Sequence, residues 1–284
     1  MNPTCSAAWK ILAGNQLLKS KESLLVFREE LSFCLAKEGR LHFIAEPDRG
    51  YRPESNDVLV NKIKILIKRW PKLFAVIYNF IGVTFVGLKP EQALSELGDN
   101  KLIINLGSGV RRRRKDIINV DFYPFENVDI VADANQLPFA DNSIDAIINE
   151  SLLEHTPNPE RIVQEMLRVL KPGGLLYLST PFVASFHSSP EDYYRWSKQG
   201  LRQLLKDFEE LDCGVRCGPS SALNYVLSEW LSIVLSFNSA LIHQILFMFF
   251  LVVFSPLCLL DCLIYKWPAS ENIAYAFYYF AKKK

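Results

Sequence analysis

The stretch Leu102-Ile103-Ile104-Asn105-Leu106-Gly107-Ser108-Gly109 decides the fold of this 284-residue chain. Its first half is a mostly apolar run of strand length, and the run breaks at once into two glycines separated by a serine. A buried parallel strand followed by glycines lets a ligand approach the backbone at the carboxyl end of a sheet. Residues 117–121 predict a second buried strand, and Asp121 at its tip suits hydrogen bonds to both hydroxyls of a ribose.

A dinucleotide-binding Rossmann domain would need more than this GxG motif. Its third glycine opens a full crossover helix, and its acidic residue follows about 20 residues later. Here Arg112 stands at the third glycine position, and Asp121 follows Gly109 too closely for a helix and a strand. The helix that would cradle a pyrophosphate is therefore missing or vestigial.

The strand pattern continues in order along the chain. Residues 128–133 predict a third strand that ends in an acid, residues 146–149 a fourth and residues 175–181 a fifth. Between the last two, we predict a helix with Asn158 as its cap and Pro159 in its first turn. This succession predicts an α/β fold with a mostly parallel sheet between helices.

Three short motifs then point to a family. Leu137-Pro138-Phe139, Leu153-Glu154-His155 and Leu170-Lys171-Pro172-Gly173-Gly174 follow the glycine turn in this order. From residue 102 to about residue 207, the chain resembles the class I S-adenosylmethionine-dependent methyltransferases, in the branch that acts on small molecules. The resemblance implies a Rossmann-like fold and S-adenosylmethionine as the cofactor.

The resemblance also implies roles for residues at the strand ends. Gly107 and Gly109 would line the methionine part of the cofactor, and Asp121 would hold the ribose hydroxyls. Asp133 with Ala134 would meet the adenine edge. The cofactor-binding residues implied in this way are Asn105, Gly107, Ser108, Gly109, Asp121, Phe122, Asp133, Ala134, Glu150 and Ser151.

Three residues of this set bear on the sulfonium and on the methionine part of the cofactor. Glu150 and Ser151 lie where family members touch the cofactor near its sulfonium. Many members carry an acid where this chain has Asn105. The resemblance therefore implies a weakened contact from this position to the amino group of the cofactor.

An aromatic-rich segment follows the fifth strand. His187 precedes the run Ser189-Pro190-Glu191-Asp192-Tyr193-Tyr194-Arg195-Trp196. The segment resembles that of a methyltransferase subgroup, many of whose members work beside cell-envelope glycan or lipid enzymes. We predict that His187, Asp192 and Arg195 bind and deprotonate a hydroxyl acceptor at the mouth of the site. The alternative is that Asp192 and Arg195 form an ion pair that fixes this lid, with Tyr193 and Trp196 packed beneath it.

His155 is a further candidate catalytic residue, as a general base or an acceptor contact. A histidine that caps the turn before Asn158 explains it equally well. Some small-molecule methyltransferases hold a metal ion in an ExxEH run at this place. The first acid of that run is Ser151 here, and the six cysteines form no CxxC pair, so we predict no metal site.

Composition excludes several other classes of protein. With 49% hydrophobic and 22% charged residues, the chain can hold one α/β domain with additions. A net charge of +1 argues against a nucleic-acid partner. The cysteine pattern indicates reduced thiols in the cytosol, and the segment after Lys10 lacks the core of a signal peptide.

Residues 1–100 form a predicted accessory region. We expect a helix over residues 22–35, a strand over 40–44, a basic amphipathic helix from residue 56 or 57, and an apolar segment over 73–88. The last two form either a cover over the cofactor site or an element at a membrane interface. The basic run at residues 111–115 is either an anion-binding loop or a solvated one.

The region after the core is strongly apolar. Residues 209–215 predict a sixth strand at the sheet edge, and no seventh strand is evident. Residues 222–237 and 240–260 are apolar, and the second run is long enough to cross a bilayer. A single span would carry the lysines at 282–284 to the far side, against the positive-inside tendency.

Three arrangements of this region stay open. One is a re-entrant hairpin that turns near Asn238, with Glu229 and His243 kept toward protein or headgroups. Another is a set of interfacial helices anchored by the aromatic residues and lysines near the carboxyl end. In the third, the helices pack on the sheet or form a dimer interface. The proposed anchor residues are Tyr275, Phe277, Tyr278, Tyr279, Lys282, Lys283 and Lys284.

The sequence thus divides into an accessory region (1–100), a methyltransferase core (101–218) and an apolar helical tail (219–284) that associates with a membrane. We expect methyl transfer to an oxygen or nitrogen of a small-molecule, lipid or lipid-linked glycan acceptor at the cytoplasmic side of that membrane. The alternative is an inactive methyltransferase-like scaffold that partners a membrane enzyme.

Overall fold

The computed structural model describes residues 25–28, 35–37, 39–43, 83–98, 101–187 and 191–284. The basic helix predicted after residue 56 and most of the apolar segment 73–88 lie outside these ranges. The helix predicted over residues 22–35 is wrong where it is described, because residues 25–28 are extended and Phe27 bridges Phe139. Residues 83–88 form no helix either, and Phe85 bridges Cys217.

Nine strands lie within the described residues and form one mixed sheet. They are β1 Leu35–Lys37, β2 Arg40–His42, β3 Ile103–Leu106, β4 Ile118–Asp121, β5 Ile130–Val131, β6 Ile144–Glu150, β7 Leu170–Pro181, β8 Phe208–Cys217 and β9 Ala276–Lys283. The spatial order is β1-β2-β5-β4-β3-β6-β7-β9-β8. The predicted strands of the core and the predicted edge strand are confirmed.

The sheet reverses its direction of growth at β3. Strands β2 to β7 run parallel, and β3 lies between β4 and β6. The chain therefore moves outward from β3 first to one side and then to the other. Parallel sheets of this kind bind ligands in the crevice at the carboxyl ends of the strands, where this reversal occurs. All four residues of β3 are buried, as both faces of the sheet are covered.

The prediction that residues 275–284 anchor the chain at an interface is wrong. Residues 276–283 form β9, which is inserted between β7 and β8 and runs antiparallel to both. Phe277 and Tyr279 are almost completely buried. The strand that the sequence did not reveal therefore comes from the carboxyl end of the chain, after the apolar helices.

Helices cover the sheet and continue into the tail. Within the described residues the α-helices are α1 Pro90–Ala93, α2 Pro159–Val169, α3 Lys198–Leu204, α4 Pro219–Leu235, α5 Ala240–Phe254 and α6 Asp261–Ile264. Short 3-10 helices lie at Leu153–His155, Ser255–Leu260 and Pro268–Ile273. The predicted start of α2, with Asn158 at the N-cap position and Pro159 in the first turn, is confirmed, and Ile162, Met166 and Val169 of this helix are buried. The Ser197 hydroxyl caps α3 by accepting a hydrogen bond from Gly200 N–H at 3.1 Å.

Helices α4 and α5 form a hairpin whose turn contains Phe237 and Asn238, both with positive φ. The predicted turn near Asn238 is confirmed. The hairpin closes at its base, where Asp261 accepts hydrogen bonds from Ser220 N–H (2.8 Å) and the Ser221 hydroxyl (2.7 Å). Both ends of the hairpin therefore lie on the same side. The aromatic and lysine residues that follow return to the sheet.

Candidate functional site

A cavity of about 380 Å³ opens at the carboxyl ends of β3, β4, β5 and β6. This volume is within the range of small-molecule sites. The cavity is lined by Leu106, Gly107, Gly109, Asp121, Phe122, Tyr123, Phe125, Ala132, Asp133, Ala134, Asn135, Ser151, Leu152, His155, Thr156, Pro157 and Ile162. Seven of the ten predicted cofactor residues and His155 are in this lining.

The glycine turn after β3 forms the floor of the cavity. Gly107 and Gly109 both have positive φ, which L side chains rarely adopt. A Cβ at Gly107 would lie 2.9 Å from the Leu152 side chain, whereas a Cβ at Gly109 would meet no atom within 4 Å. The space over Gly109 therefore suits the close approach of a ligand to the backbone.

Asp121 sits at the end of β4 and is fixed by the turn. Its two oxygens accept hydrogen bonds from Gly109 N–H (2.8 Å) and Tyr123 N–H (3.0 Å). Burial raises the pKa of Asp121, and these backbone N–H groups oppose the rise. A carboxylate has about four lone-pair positions, and the turn does not occupy all of them, so Asp121 can still accept a hydrogen bond from a ribose hydroxyl.

Asp133 and Asn135 form the far side of the cavity. The Asp133 carboxylate accepts hydrogen bonds from the backbone and side chain of Asn135, at 2.8 and 2.9 Å. The Asn135 side-chain oxygen is buried and has no hydrogen-bond partner among the described residues. An unpartnered buried acceptor is costly, so this atom fits a ligand that donates, such as the amino group of adenine. Sequence reasoning missed Asn135, Tyr123 and Phe125 as lining residues.

Ser151 marks the strained end of β6. It is a non-glycine residue with a φ of 53°, held by a 2.9 Å hydrogen bond from its N–H to Ser179 O. Residues in this region of backbone space cluster at functional sites, where the surrounding structure holds the strain. It lies in the cavity wall, and its contact near the sulfonium stays a prediction.

Three predicted cofactor residues lie outside the cavity lining. Asn105 is buried and donates its side-chain N–H to Asn119 Oδ1 at 3.2 Å. Ser108 is buried in the turn. Glu150 forms ion pairs with Arg113 and with Arg216, the latter at 3.7 Å. The Glu150 side chain pairs with these two guanidinium groups and does not line the cavity. The sequence could not show this, because the arginines are remote from Glu150 along the chain.

The basic run at residues 111–115 is largely engaged within the protein. Arg112 contacts both carboxylate oxygens of Asp129 at 2.8 Å. Arg113 pairs with Glu91 and Glu150, and Arg114 pairs with Asp116. These contacts favour a structural role for the run over anion binding.

Two histidines meet at the mouth of the cavity. The rings of His155 and His187 are 5.1 Å apart, edge to face. His155 Nδ1 is 2.5 Å from Glu191 O, and His187 Nδ1 is 3.2 Å from Ser185 O. Burial lowers the pKa of both imidazoles, so both are neutral at neutral pH and able to accept a proton.

Glu154 lies beneath these histidines and is completely buried. Neither carboxylate oxygen has a hydrogen bond of good geometry among the described residues, although the Ser151 side chain is close to the carboxylate. Burial raises the pKa of Glu154 to about 7. Sequence reasoning placed Glu154 in a motif but could not show its burial or its approach to His187.

The segment after β7 folds over this group as a lid. Arg195 forms a bidentate ion pair with Asp192, and Asp192 Oδ2 also accepts a hydrogen bond from His187 N–H at 2.9 Å. Trp196 is buried beneath the lid, whereas Tyr193 is exposed. The geometry favours the structural alternative for Asp192 and Arg195, as residues that position His187. Their predicted catalytic roles stay predictions.

The comparisons with known proteins find similarity to methyltransferases. Residues 108–178 match the family model described as "Methyltransferase domain". The chain is 31% identical to an uncharacterized methyltransferase of Mycobacterium leprae (strain Br4923) over 106 residues, which cover 37% of this chain and 32% of that protein. It is 29% identical to an uncharacterized methyltransferase of Mycolicibacterium gilvum (strain PYR-GCK) over 176 residues, 61% of each chain. The chain thus spans only part of the length of both relatives.

Solved structures with similar folds have low sequence identity. One is a methyltransferase of Thermotoga maritima, with a TM-score of 0.44 and 17% identity over 80% of this chain and all of that one. Another is phosphoethanolamine N-methyltransferase 2 of Haemonchus contortus in complex with S-adenosylmethionine, with a TM-score of 0.41 and 15% identity over 75% of this chain and 52% of that one.

Proposed function

We propose that this chain, whose core is a class I S-adenosylmethionine-dependent methyltransferase domain, methylates an oxygen or nitrogen of a small-molecule, lipid or lipid-linked glycan acceptor at a membrane surface. The observation that carries the proposal is the cavity at the sheet reversal, whose lining joins the glycine turn, Asp121 and Asp133 to His155. A basic group thus stands beside the place where the reacting end of the cofactor would lie.

The residues present fit the cofactor. Gly107 and Gly109 leave room for its methionine part, Asp121 would hold the ribose, and Asn135 Oδ1 would accept a hydrogen bond from adenine. When bound, S-adenosylmethionine supplies an electrophilic methyl carbon: its bond to the acceptor atom forms as the carbon–sulfur bond breaks, sulfur keeps the electron pair, and the proton of the acceptor passes to a base.

His155 and His187 support the transfer of that proton. Their Nδ1 atoms face backbone carbonyls, which favours the tautomer with the proton on Nδ1 and the lone pair on Nε2. Asp192 keeps His187 in place by accepting a hydrogen bond from its backbone N–H, and Arg195 in turn holds Asp192. We therefore assign positioning of the acceptor to the lid and deprotonation to the two imidazoles.

The α4–α5 hairpin supports a membrane surface as the place of action. Its inward face is polar, with the buried residues Ser221, Asn224, Ser228 and Ser232, whereas its outward residues are large and apolar. Within the described residues one helical run, Ala240–Ile264, is long and apolar enough to cross a membrane, with a mean hydropathy of 2.5, and only 17% of its most apolar window is buried. A core helix of a soluble protein would be mostly buried.

The hairpin leaves the sheet at the edge that carries the cavity. Strands β7 and β8 are both antiparallel to β9, so they run parallel to each other. Helix α4 starts directly after β8, at the same edge as the carboxyl end of β7 and the lid. Lys198 of α3 also pairs with Glu271 after the hairpin, at 2.6 Å. A membrane that receives the hairpin would face the mouth of the site, which suits a lipidic acceptor.

The first experiment is calorimetric titration of the detergent-stabilised protein with S-adenosylmethionine. We expect Asp121→Ala to weaken binding by at least about tenfold, because two hydrogen bonds to a charged group are worth more than about 1.5 kcal/mol. Asp207→Ala, which changes an exposed aspartate, is the matched control and should bind as the wild type does. A labelled methyl group should then pass from the cofactor to a component of a membrane lipid extract.

The outcomes separate enzyme from scaffold. If the folded wild type does not bind the cofactor, the chain is an inactive scaffold and the proposal fails. If Asp207→Ala weakens binding as much as Asp121→Ala does, the assigned ribose contact is wrong.

A further inference from the structure

We propose that Glu154, His155 and His187 hold a divalent transition-metal ion at the mouth of the cofactor cavity. One ligand atom from each of these residues lies within 4.8 Å of the others. The role of the ion in catalysis rests on the proposed function, but its binding does not.

Glu154 is the first argument for the ion. Its side chain is completely inaccessible to solvent, and neither carboxylate oxygen has a hydrogen bond of good geometry among the described residues, although the Ser151 side chain lies close enough to oppose the rise of its pKa. A buried carboxylate without partners is unfavourable unless a cation or a donor reaches it. His155 Nε2 is 3.9 Å from Glu154 Oε1, so the open oxygen atoms face the histidine pair.

The second argument is the orientation of both imidazoles. Each Nδ1 faces a backbone carbonyl, Glu191 O for His155 and Ser185 O for His187. Histidine ligands of metals usually donate their other ring N–H to a carbonyl or carboxylate in this way. The arrangement leaves each Nε2 lone pair for the centre of the cluster.

The charges around the cluster are compatible with a cation. Arg195 Nη2 approaches His187 Nδ1 to 3.4 Å, but Arg195 is neutralised by its bidentate pair with Asp192. Asp192 Oδ2 lies 3.7 Å from His187 Nδ1. When Glu154 is ionised, the charges of Arg195, Asp192 and Glu154 add up to one negative charge, which favours a bound cation.

The donor set decides the class of ion. Two imidazole nitrogens and one carboxylate oxygen suit Zn²⁺, Mn²⁺, Fe²⁺ and related ions, and leave positions open for other ligands. Two atoms that each lie about 2.1 Å from one ion are at most about 4.2 Å apart. The 3.9 Å between Glu154 and His155 therefore fits, and the widest pair has to close by up to about 0.6 Å.

An ion at this place would act on the acceptor, because His155 also lines the cofactor cavity. A bound divalent ion lowers the pKa of an alcohol or water that it contacts. With the ion bound, the Nε2 lone pairs of His155 and His187 would be ligands rather than bases, so the acceptor proton would leave to water as the acceptor oxygen attacks the methyl carbon and the carbon–sulfur bond breaks. The serine at position 151, which removes the first acid of an ExxEH run, leaves this three-residue set intact.

The test measures binding of the metal alone to the full chain in detergent. Chelator-treated protein is dialysed against Mn²⁺ or Zn²⁺, with Mg²⁺ as a third arm, and the bound ion is counted by elemental analysis. We expect about one Mn²⁺ or Zn²⁺ per chain. Glu154→Gln and His187→Asn should each weaken binding by at least about tenfold, as loss of metal-site partners does.

His243→Asn is the matched control, since His243 pairs with Glu229 in the hairpin, away from the site. It should bind the ion as the wild type does. Far-UV circular dichroism confirms that each variant is folded, and Glu154→Gln keeps the size of the side chain. The inference is overturned if the wild type binds no divalent ion, or if Glu154→Gln and His187→Asn bind it unchanged.

Titration with S-adenosylmethionine in the same samples keeps the two proposals apart. Cofactor binding without metal binding overturns this inference and leaves the proposed function standing. Metal binding without cofactor binding supports the site and overturns the proposed function.

Discussion

Glu165 is a buried carboxylate on α2 that holds a segment next to the cavity in place. Its oxygens accept hydrogen bonds from Leu137 N–H (2.7 Å) and from the Arg168 guanidinium (2.8 Å). Burial alone would raise the pKa of Glu165, but the contacts with Arg168 and Leu137 outweigh it and lower the pKa. The segment from Asn135 to Leu137, next to the predicted adenine site, is thereby tied to α2.

The sign of this pKa shift gives a pH-dependent prediction. A lowered folded pKa means that the ionised carboxylate adds stability above about pH 4.5, which is lost as the pH falls through the folded pKa. We expect Glu165→Gln to lower the free energy of unfolding by about 2 kcal/mol at pH 7, and by clearly less near pH 3. Urea unfolding followed by circular dichroism at both pH values measures the difference.

Glu160→Gln is the control for this prediction, because Glu160 is exposed on the same helix. It should change stability little at either pH. An equal loss for Glu165→Gln at pH 7 and pH 3 would show that the hydrogen-bonded charge is not the cause.

At the scale of elements, the α4–α5 hairpin has polar side chains between its helices and apolar side chains on its exposed surface, the opposite of a helix pair in a soluble protein. Ser232 donates its hydroxyl to Ser228 O at 2.6 Å, and Ser228 donates its own to Asn224 Oδ1 at 3.2 Å. These polar groups are satisfied inside the hairpin, so the outer surface carries none of them. Helix α4 has 17 residues, about 26 Å of length, which is close to the depth of the hydrocarbon core.

The hairpin predicts binding to lipid vesicles. We expect the wild type to float with vesicles of mixed zwitterionic and anionic lipids in a density gradient. The double variant Ile233→Glu with Phe249→Glu should float at least about tenfold less, since each charge costs about 2–3 kcal/mol in the hydrocarbon region. Both residues are more than half exposed, so the fold should survive.

Leu211→Glu is the matched control, because Leu211 is an exposed apolar residue on β8, outside the hairpin. It should float as the wild type does. Equal flotation of the double variant and the wild type would exclude the hairpin as the membrane contact.

At the scale of the whole molecule, the end of the chain completes the sheet. Strand β9 pairs with β7 from Leu175 to Pro181 and with β8 on its other side. The chain therefore leaves the sheet after β8, forms the hairpin and returns to fill the gap between β7 and β8. The core and the tail predicted at residues 101–218 and 219–284 share this strand, and the domain boundary between them stays a prediction.

Removal of residues 275–284 should therefore unfold the core. The strand buries Phe277, Tyr278 and Tyr279, and its loss leaves two strands without their partner. We expect the loss to exceed the 5–15 kcal/mol of a typical domain. Circular dichroism should show a loss of secondary structure, and titration should show no binding of the cofactor. Removal of Lys284 alone should change neither result. A truncated chain that unfolds with wild-type stability would contradict the pairing.

By itself the sequence determined the α/β class, the five strands from β3 to β7, the glycine turn and the acids at the strand ends. These features depend on local patterns: an apolar run, a GxG turn and a carboxylate at the next strand end bring Gly107, Gly109, Asp121 and Asp133 into the lining of the cavity. The polar residues of α4, which are Ser221, Asn224, Ser228 and Ser232, also recur at helical spacing in the sequence, but the sequence analysis did not predict this face.

Only the tertiary structure decided the pairing of distant segments. Residues 276–280 are aromatic-rich on both faces, a composition that a buried strand shares with an interfacial anchor, and only pairing with β7, about 100 residues earlier, distinguishes them. In the same way Glu150 is drawn to Arg113 and Arg216, and Glu154 meets His187 from a separate segment. Such contacts depend on free energies of burial and charge pairing between strands that are remote in sequence, which no local pattern encodes.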